Sequence, residues 1–376
     1  MSASQNRIPV TIITGFLGAG KSSLLNRILK DPATSDTAVI INEFGEVGID
    51  NLLVESSGDT LVQLSNGCLC CTVRGELVDT LASLMDAMQT GRMTPIRRVV
   101  IETTGLADPA PVMQSVMGHP VMAQSFELDG VITVVDAVNG CSTLERHVEA
   151  VKQVAVADRL IVSKTSMATS EQLLDLHARL DRLNPRAVRM DADAPEAATA
   201  LVLQNGLYDP ATKIADVDRW LRDEMASSHH AHDHHHHHDH GHHHHHDVNR
   251  HGADIRSFSI LHDRPVDPAA IEMFVDLLRS AHGEKLLRMK AIVALSDNPD
   301  RPLVLHGVQS IFHPPQRLAA WPEGSDRRTR MVLITQDLPE EFVADLFAAF
   351  TGTPRVDRPD RAALEDNPLA VPGLRM

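Results

Sequence analysis

Apolar positions along the first two thirds of the chain fall into short β-branched runs separated by stretches of helical spacing. Ile8, Val10, Ile12 and Ile13 suit a buried strand, and Leu24, Leu25, Ile28 and Leu29 suit a helix packed on a sheet. The pattern repeats. Strands are predicted over Val10–Thr14, Ala38–Asn42, Arg98–Glu102, Val131–Asp136 and Arg159–Ser163, with helices such as Glu76–Met88 and Glu171–Leu183 between them. Strands alternating with helices imply βαβ units, hence an α/β fold: a mostly parallel sheet with helices on both faces. Ligands of such sheets sit at the carboxyl ends of the strands.

The pattern breaks at Ser227. Of the 23 residues from His229 to His251, fifteen are histidine, interrupted by Asp233, Asp239 and Asp247. No core can form from such a segment, so residues 227–253 read as a solvated linker. Beyond it, strands are predicted over Ile255–Leu261, Leu286–Leu295, Leu303–Val308 and Thr329–Thr335, and helices over Ala269–Ala281 and Glu340–Phe350. The two types no longer alternate regularly, so 254–351 reads as a smaller α+β domain, following a first domain over 1–226. The tail, 352–376, carries Pro354, Pro359, Pro368 and Pro372 and is expected to be loosely ordered.

Composition narrows the function. Thirty-five basic against 50 acidic residues give a formal charge of −15 in 376 residues, which argues against a nucleic-acid surface. No apolar run approaches the roughly 18 residues of a membrane span, and no signal peptide is visible before the first strand. Four cysteines, three of them within four residues, do not make a secreted disulfide framework. A cytoplasmic protein is expected.

Gly15-Phe16-Leu17-Gly18-Ala19-Gly20-Lys21-Ser22 is a G-x-x-x-x-G-K-[ST] phosphate loop in the required strand–loop–helix setting. Its glycines let backbone N–H groups point at phosphate oxygens, Lys21 neutralises the β/γ charge, and Ser22 offers a hydroxyl to Mg²⁺. Gly15, Gly18, Ala19, Gly20, Lys21, Ser22 and Ser23 are therefore assigned to nucleotide binding. Glu102-Thr103-Thr104-Gly105 ends a strand: Glu102 suits Mg²⁺, directly or through water, and Gly105 can offer its N–H to a γ-phosphate. Asn42-Glu43-Phe44-Gly45-Glu46 ends the second strand, so Glu43 and Glu46 can serve Mg²⁺, a second metal or the hydrolytic water. Ser163-Lys164-Thr165-Ser166 stands where [NT]-K-x-D reads guanine. Lys164 can cover the base, but Ser166 cannot make the bidentate charge-assisted contact of an aspartate.

Asn66-Gly67-Cys68-Leu69-Cys70-Cys71 is a second signal. Cys68, Cys70 and Cys71 can converge only on a turn, which Asn66-Gly67 favours. A helix predicted to start near Thr72 lowers their pKa values. Three thiolates suit Zn²⁺ or Cu(I) and leave one position for an exchangeable ligand such as Glu43, Glu46 or His119; buried structural cysteines or a redox switch are the alternatives. Cys141 reads as a small apolar residue. The histidine run suits metal capture, or is selectively neutral low-complexity sequence.

In this ordered set the chain resembles the CobW-like family of P-loop GTPases. The resemblance rests on Gly15–Ser22, Asn42–Glu46, Cys68, Cys70 and Cys71, Glu102–Gly105 with Leu106-Ala107-Asp108-Pro109, Lys164, and Leu286-Leu287-Arg288-Met289-Lys290. It implies Mg²⁺-dependent GTP hydrolysis, with Lys21, Glu43 and Glu102 in catalysis, coupled to Zn²⁺ carriage at the three cysteines and delivery to a client metalloprotein. A homo-oligomer is compatible with it. It leaves open a cobalt factor for cobalamin synthesis, a metalloenzyme-specific activator, or a metal buffer that hydrolyses nothing. Ser166 departs from the family's pattern, as does Ala291, where a glycine commonly follows the Arg-x-Lys segment.

Overall fold

The computed structural model of the protein describes residues 7–42, 61–64, 72–185, 187–203, 255–321 and 325–352. In its first part the chain runs β1 (Ile8–Gly15), α1 (Lys21–Ile28), β2 (Thr37–Asn42), β3 (Leu61–Leu64), α2 (Thr72–Gln89), β4 (Arg98–Glu102), α3 (Ala110–Gly118), α4 (Met122–Ser125) and β5 (Phe126–Asp136). It continues through α5 (Gly140–Arg146), α6 (Val148–Ala155), β6 (Arg159–Ser163), α7 (Ser170–Leu183) and β7 (Val188–Asp191). The seven strands form one parallel sheet in the order β3-β2-β4-β1-β5-β6-β7.

This order puts β1 between β4 and β5, so the loop leaving β1 is flanked by the ends of both. Each inner strand is buried on two sides, which is why the runs are apolar without alternation. Ile12 packs with Leu77, Leu81, Val116 and Phe126, whereas its neighbour Ile13 faces Leu24, Leu25, Ile28 and Val100. A third cluster joins α5, α6 and α7 to β6 through Leu144, Val154, Leu160, Leu176 and Leu180. The α7 start is a full capping box, with Thr169 and Gln172 bonding reciprocally.

The α/β expectation stands, and the inner strands fall where the pattern predicts them. β3 and β7 were not predicted. Both are four residues long and lie at the two sheet edges; β7 is at most half-buried, so its sequence carries little apolar signal.

The C-terminal part holds β8 (Ile255–His262), α8 (Pro268–His282), β9 (Leu286–Val293), β10 (Leu303–Val308), β11 (Ile311–Phe312), β12 (Gln316–Arg317), β13 (Thr329–Gln336) and α9 (Glu340–Phe350). Its antiparallel sheet runs β11-β10-β9-β13-β8, with β12 on β10. Here the two-residue period operates. Met289, Ala291 and Val293 share one core with Phe274, Leu278, Val343 and Phe347 of the covering helices. Ala291, which departs from the family's glycine, is 2% exposed in that core. Arg288 and Lys290, out of phase with these, turn to the other face. There Leu287 and Ile334 meet Ala155 of α6.

Candidate functional site

The phosphate loop bends sharply out of β1. A Cβ at Gly15, where φ is +142°, would stand 2.3 Å from the Val134 carbonyl oxygen, so only glycine fits between β1 and β5. Lys21 opens α1 and folds back over the loop, its Nζ donating to the carbonyls of Gly15 (3.0 Å) and Phe16 (3.3 Å). Ser22 beside it is buried; its Oγ donates to Glu102 Oε1 at 2.7 Å, while Ser23 is exposed.

Glu102 reaches this position because β4 is registered on β1, Ile13 opposite Glu102. The Thr103 N–H donates to the Ile13 carbonyl (3.0 Å) and its hydroxyl to that of Thr14 (2.7 Å), locking the strand ends together. The chain then passes Gly105 directly over the loop: a Cβ there would lie 2.6 Å from the Leu17 nitrogen. Ser22 and Glu102 present two buried hard oxygens 2.7 Å apart, a donor pair that fits Mg²⁺.

On the other flank, Ser163 Oγ donates to the Ala19 carbonyl at 2.6 Å. Lys164, in the left-handed region at φ 58°, sends Nζ to the Gly18 carbonyl (2.9 Å) and to Asp136 Oδ2 (2.7 Å). Burial pushes the Asp136 carboxyl up, but hydrogen bonds from Lys164, Asn139 and the Val138 and Asn139 N–H groups outweigh it and hold it below the usual carboxylate value. Ser166 lies exposed in the turn that follows. A cavity of about 230 Å³ is bounded by Phe16–Ala19, Asp136, Gln153 and Lys164.

The predicted residues Gly15, Gly18, Ala19, Gly20, Lys21, Ser22, Glu102, Gly105, Ser163 and Lys164 thus come together at the carboxyl ends of β1, β4, β5 and β6. Glu43, Glu46, Cys68, Cys70 and Cys71, the histidine segment 227–253 and most of the tail lie outside the described residues. Among the described residues, no three His, Cys, Asp or Glu side chains group as metal ligands. His119 closes α3, with its Nδ1 buried and without a hydrogen-bond partner among them. Cys141 is half-buried beside the α5–α7 cluster, and burial raises its thiol pKa, in keeping with a packing residue. No helix among the described residues is long and apolar enough to cross a membrane.

Sequence reasoning missed Asp136 and Gln153. Asp136 carried a signal, a carboxylate ending an apolar strand next to the loop strand. Gln153 carried little: it is one polar residue in a helical pattern, yet it is fully buried, and its Nε2 donates to the carbonyls of Gly105 (3.1 Å) and Ala107 (3.0 Å).

Comparison with known proteins covers both parts of the chain. The family described as CobW/HypB/UreG, nucleotide-binding domain, matches residues 9–190, and the cobalamin synthesis protein cobW C-terminal domain matches residues 255–351. "Zinc chaperone YjiA" of Escherichia coli is 34% identical over 347 residues, spanning 91% of this chain and 98% of that protein. "Zinc chaperone CobW" of Sinorhizobium sp is 29% identical over 375 residues, spanning 91% and 96%. The crystal structure of the E. coli protein, described as Zn(II)-bound YjiA GTPase, superposes with a TM-score of 0.62 at 29% identity. It covers 92% of this chain and 99% of that one.

Proposed function

The chain belongs to the CobW-like family of P-loop GTPases, and from that premise we propose that it is a Mg²⁺-dependent GTPase which carries Zn²⁺ under nucleotide control. The observation that carries the proposal is the Ser22–Glu102 contact beneath an intact phosphate loop, with Gly105 seated on Leu17. In this reading Lys21 leaves the Gly15 and Phe16 carbonyls for the β/γ-phosphates, and Ser22 and Glu102 hold Mg²⁺, which supplies charge neutralisation to the phosphates. The Gly105 N–H meets the γ-phosphate, Glu43 orients the attacking water, and Lys164 covers the base.

Zn²⁺ is cargo, held by Cys68, Cys70 and Cys71 with Glu43, Glu46 or His119 as an exchangeable fourth ligand, and passed to a client metalloprotein. The names of two long relatives as zinc chaperones favour zinc over cobalt. The histidine linker gathers the metal and separates a nucleotide domain, 1–226, from a C-terminal domain, 254–351. The reducing cytoplasm suits three thiolate ligands. A nucleotide-dependent coupling of about 1–3 kcal/mol corresponds to roughly 5–150-fold in metal affinity, enough to separate capture from release.

Zn²⁺ affinity measured apo, with GDP·Mg²⁺ and with a non-hydrolysable GTP analogue tests the cycle, using protein that lacks the histidine linker. The expected result is an affinity that differs several-fold between nucleotide states and is lost in Cys70→Ser. Equal affinity in every state would reject the cycle. One observation favours a relaxed variant: with Ser166 in place of an aspartate, an ATP analogue run alongside is expected to compete measurably with GTP.

A further inference from the structure

The Gly105–Asp108 segment is held from one side by two consecutive residues of α6. Gln153 binds the Gly105 and Ala107 carbonyls, and Lys152 Nζ pairs with Asp108 Oδ2 at 3.1 Å. Two residues further on, the C-terminal end of α6 lies on the C-terminal sheet. Ala155 packs with Leu287 and Ile334, the Val156 carbonyl accepts from Arg288, and Asp158 pairs with both Arg288 and Lys290. The same segment leads into α3, whose first residue, Ala110, donates its N–H to Asp108 Oδ1 at 2.9 Å. α3 also reaches that sheet. Gln114 Nε2 donates to Gln309 Oε1 at 2.6 Å in the β10–β11 turn, and a Cβ at Gly118 would meet the Ile311 side chain at 3.3 Å.

We infer that the C-terminal sheet reads the position of the Gly105–Asp108 segment through α6 and α3, with Gln153 as the positioning residue that holds the segment against the phosphate loop. The inference rests on the proposed nucleotide-dependent role of Gly105. A γ-phosphate between the loop N–H groups and the Gly105 N–H needs room where Gly105 now abuts Leu17, so the segment must shift, and the Gln153 bonds are what it shifts against. Gln153 is also held one-sidedly. Both carbonyls use its amide nitrogen, while its buried Oε1 has no partner among the described residues. An unmet buried acceptor is unfavourable, so a shift of the segment that brought one of its N–H groups to Oε1 would gain a hydrogen bond. Such a pair of discrete arrangements is what a coupling element requires. It also gives the Arg-x-Lys segment a role: Arg288 and Lys290 project from one face of β9 because they are two residues apart, and both engage the turn between α6 and β6.

Hydrogen–deuterium exchange of the full chain, with GDP·Mg²⁺ and with a non-hydrolysable GTP analogue, tests this. The wild type is expected to change its exchange rate at residues 103–108, and by at least about fivefold at residues 286–293, between the two states. In Gln153→Met the response at 286–293 is expected to fall below about twofold. Arg288→Met, which removes the sheet's bonds to Val156 and Asp158 just past the end of α6, is expected to lose the response at 286–293 while keeping it at 103–108; it serves also where the buried Gln153 substitution impairs folding. An undiminished response at 286–293 in either variant would overturn the inference, as would a wild type that responds at 103–108 but not at 286–293. No response at 103–108 in nucleotide-bound wild type would overturn the proposed switch as well, so the two failures are distinct.

Discussion

The nucleotide end of the first sheet and its joint with the second sheet are held by different kinds of contact. At the nucleotide end, beside the Ser22–Glu102 and Lys164–Asp136 contacts, the loop itself is held by side chains that bond to its main-chain oxygens: Lys21 to Gly15 and Phe16, Ser163 to Ala19, Lys164 to Gly18. At the joint, charges meet charges: Asp158, its carboxylate 8% exposed, faces both Arg288 and Lys290. A loop held through its backbone keeps its shape whatever side chains lie on its surface, and several bonds share the load. The joint concentrates two cations on one carboxylate, so its ionic part depends on that one group.

Removing that carboxylate breaks the comparison most severely. Asp158→Asn removes the carboxylate that the largely buried Arg288 guanidinium shares with Lys290, and breaking a buried pair in this way costs about 3–5 kcal/mol. Urea unfolding of the variant against wild type at pH 7 measures it. Lys21→Ala comes next and acts on the other region. The fold is expected to persist, while loss of one preorganised cation at the phosphates lowers kcat on the order of 10²–10³-fold, read as phosphate release under saturating GTP.

Titration of the joint follows. Burial raises the Asp158 carboxyl, but Arg288 and Lys290 outweigh it, with help from the Lys290 and Val131 hydrogen bonds, and hold it at about 2, below the ordinary aspartate value of about 3.9. A folded pKa below the unfolded one contributes stability that is present in full above the unfolded value and is lost as pH falls through the folded value. The expected loss is therefore about 2 kcal/mol between pH 5 and pH 2. Urea midpoints across that range should show this component in wild type and lack it in Asp158→Asn; parallel curves would show that the pair contributes nothing.

The same contrast explains what could be read from the chain before its structure. The nucleotide end is local: a phosphate loop is eight consecutive residues whose spacing carries its geometry, and Glu102 and Lys164 each end an apolar strand in the expected place. Even the missed Asp136 sits at such a strand end. The joint is not local. Asp158 meets Arg288 and Lys290 across 130 and 132 residues, and nothing near Asp158 distinguishes it from a solvated acid in a turn. Two-residue spacing does put Arg288 and Lys290 on one face of a strand, but the sequence does not say what that face meets. Gln153 was obscure for a related reason, since its partners are carbonyls and any residue has one. The edge strands β3 and β7 escaped because four residues are too short a run to mark a strand, and β7 carries two polar residues in its four.

The smallest effect expected sharpens the comparison at a position where the site departs from the guanine-reading pattern. Lys164 and Ser163 are tied to the loop, but Ser166, two residues after Lys164, offers a hydroxyl where a carboxylate would read guanine. A carboxylate there would accept from the ring N–H and amino group of guanine, and a charge-assisted pair of this kind is worth about 1.5–3 kcal/mol when well formed. Ser166 is exposed in its turn, so solvent competes for the carboxylate, and the lower end of that range applies. Ser166→Asp is therefore expected to raise the preference for GTP over ATP roughly tenfold, a gain of about 1.4 kcal/mol. Competition of unlabelled GTP and ATP against a fluorescent GDP derivative measures it. An unchanged ratio would mean that the turn after Lys164 does not reach the base, and that whatever base preference the chain has is set by the backbone around the loop.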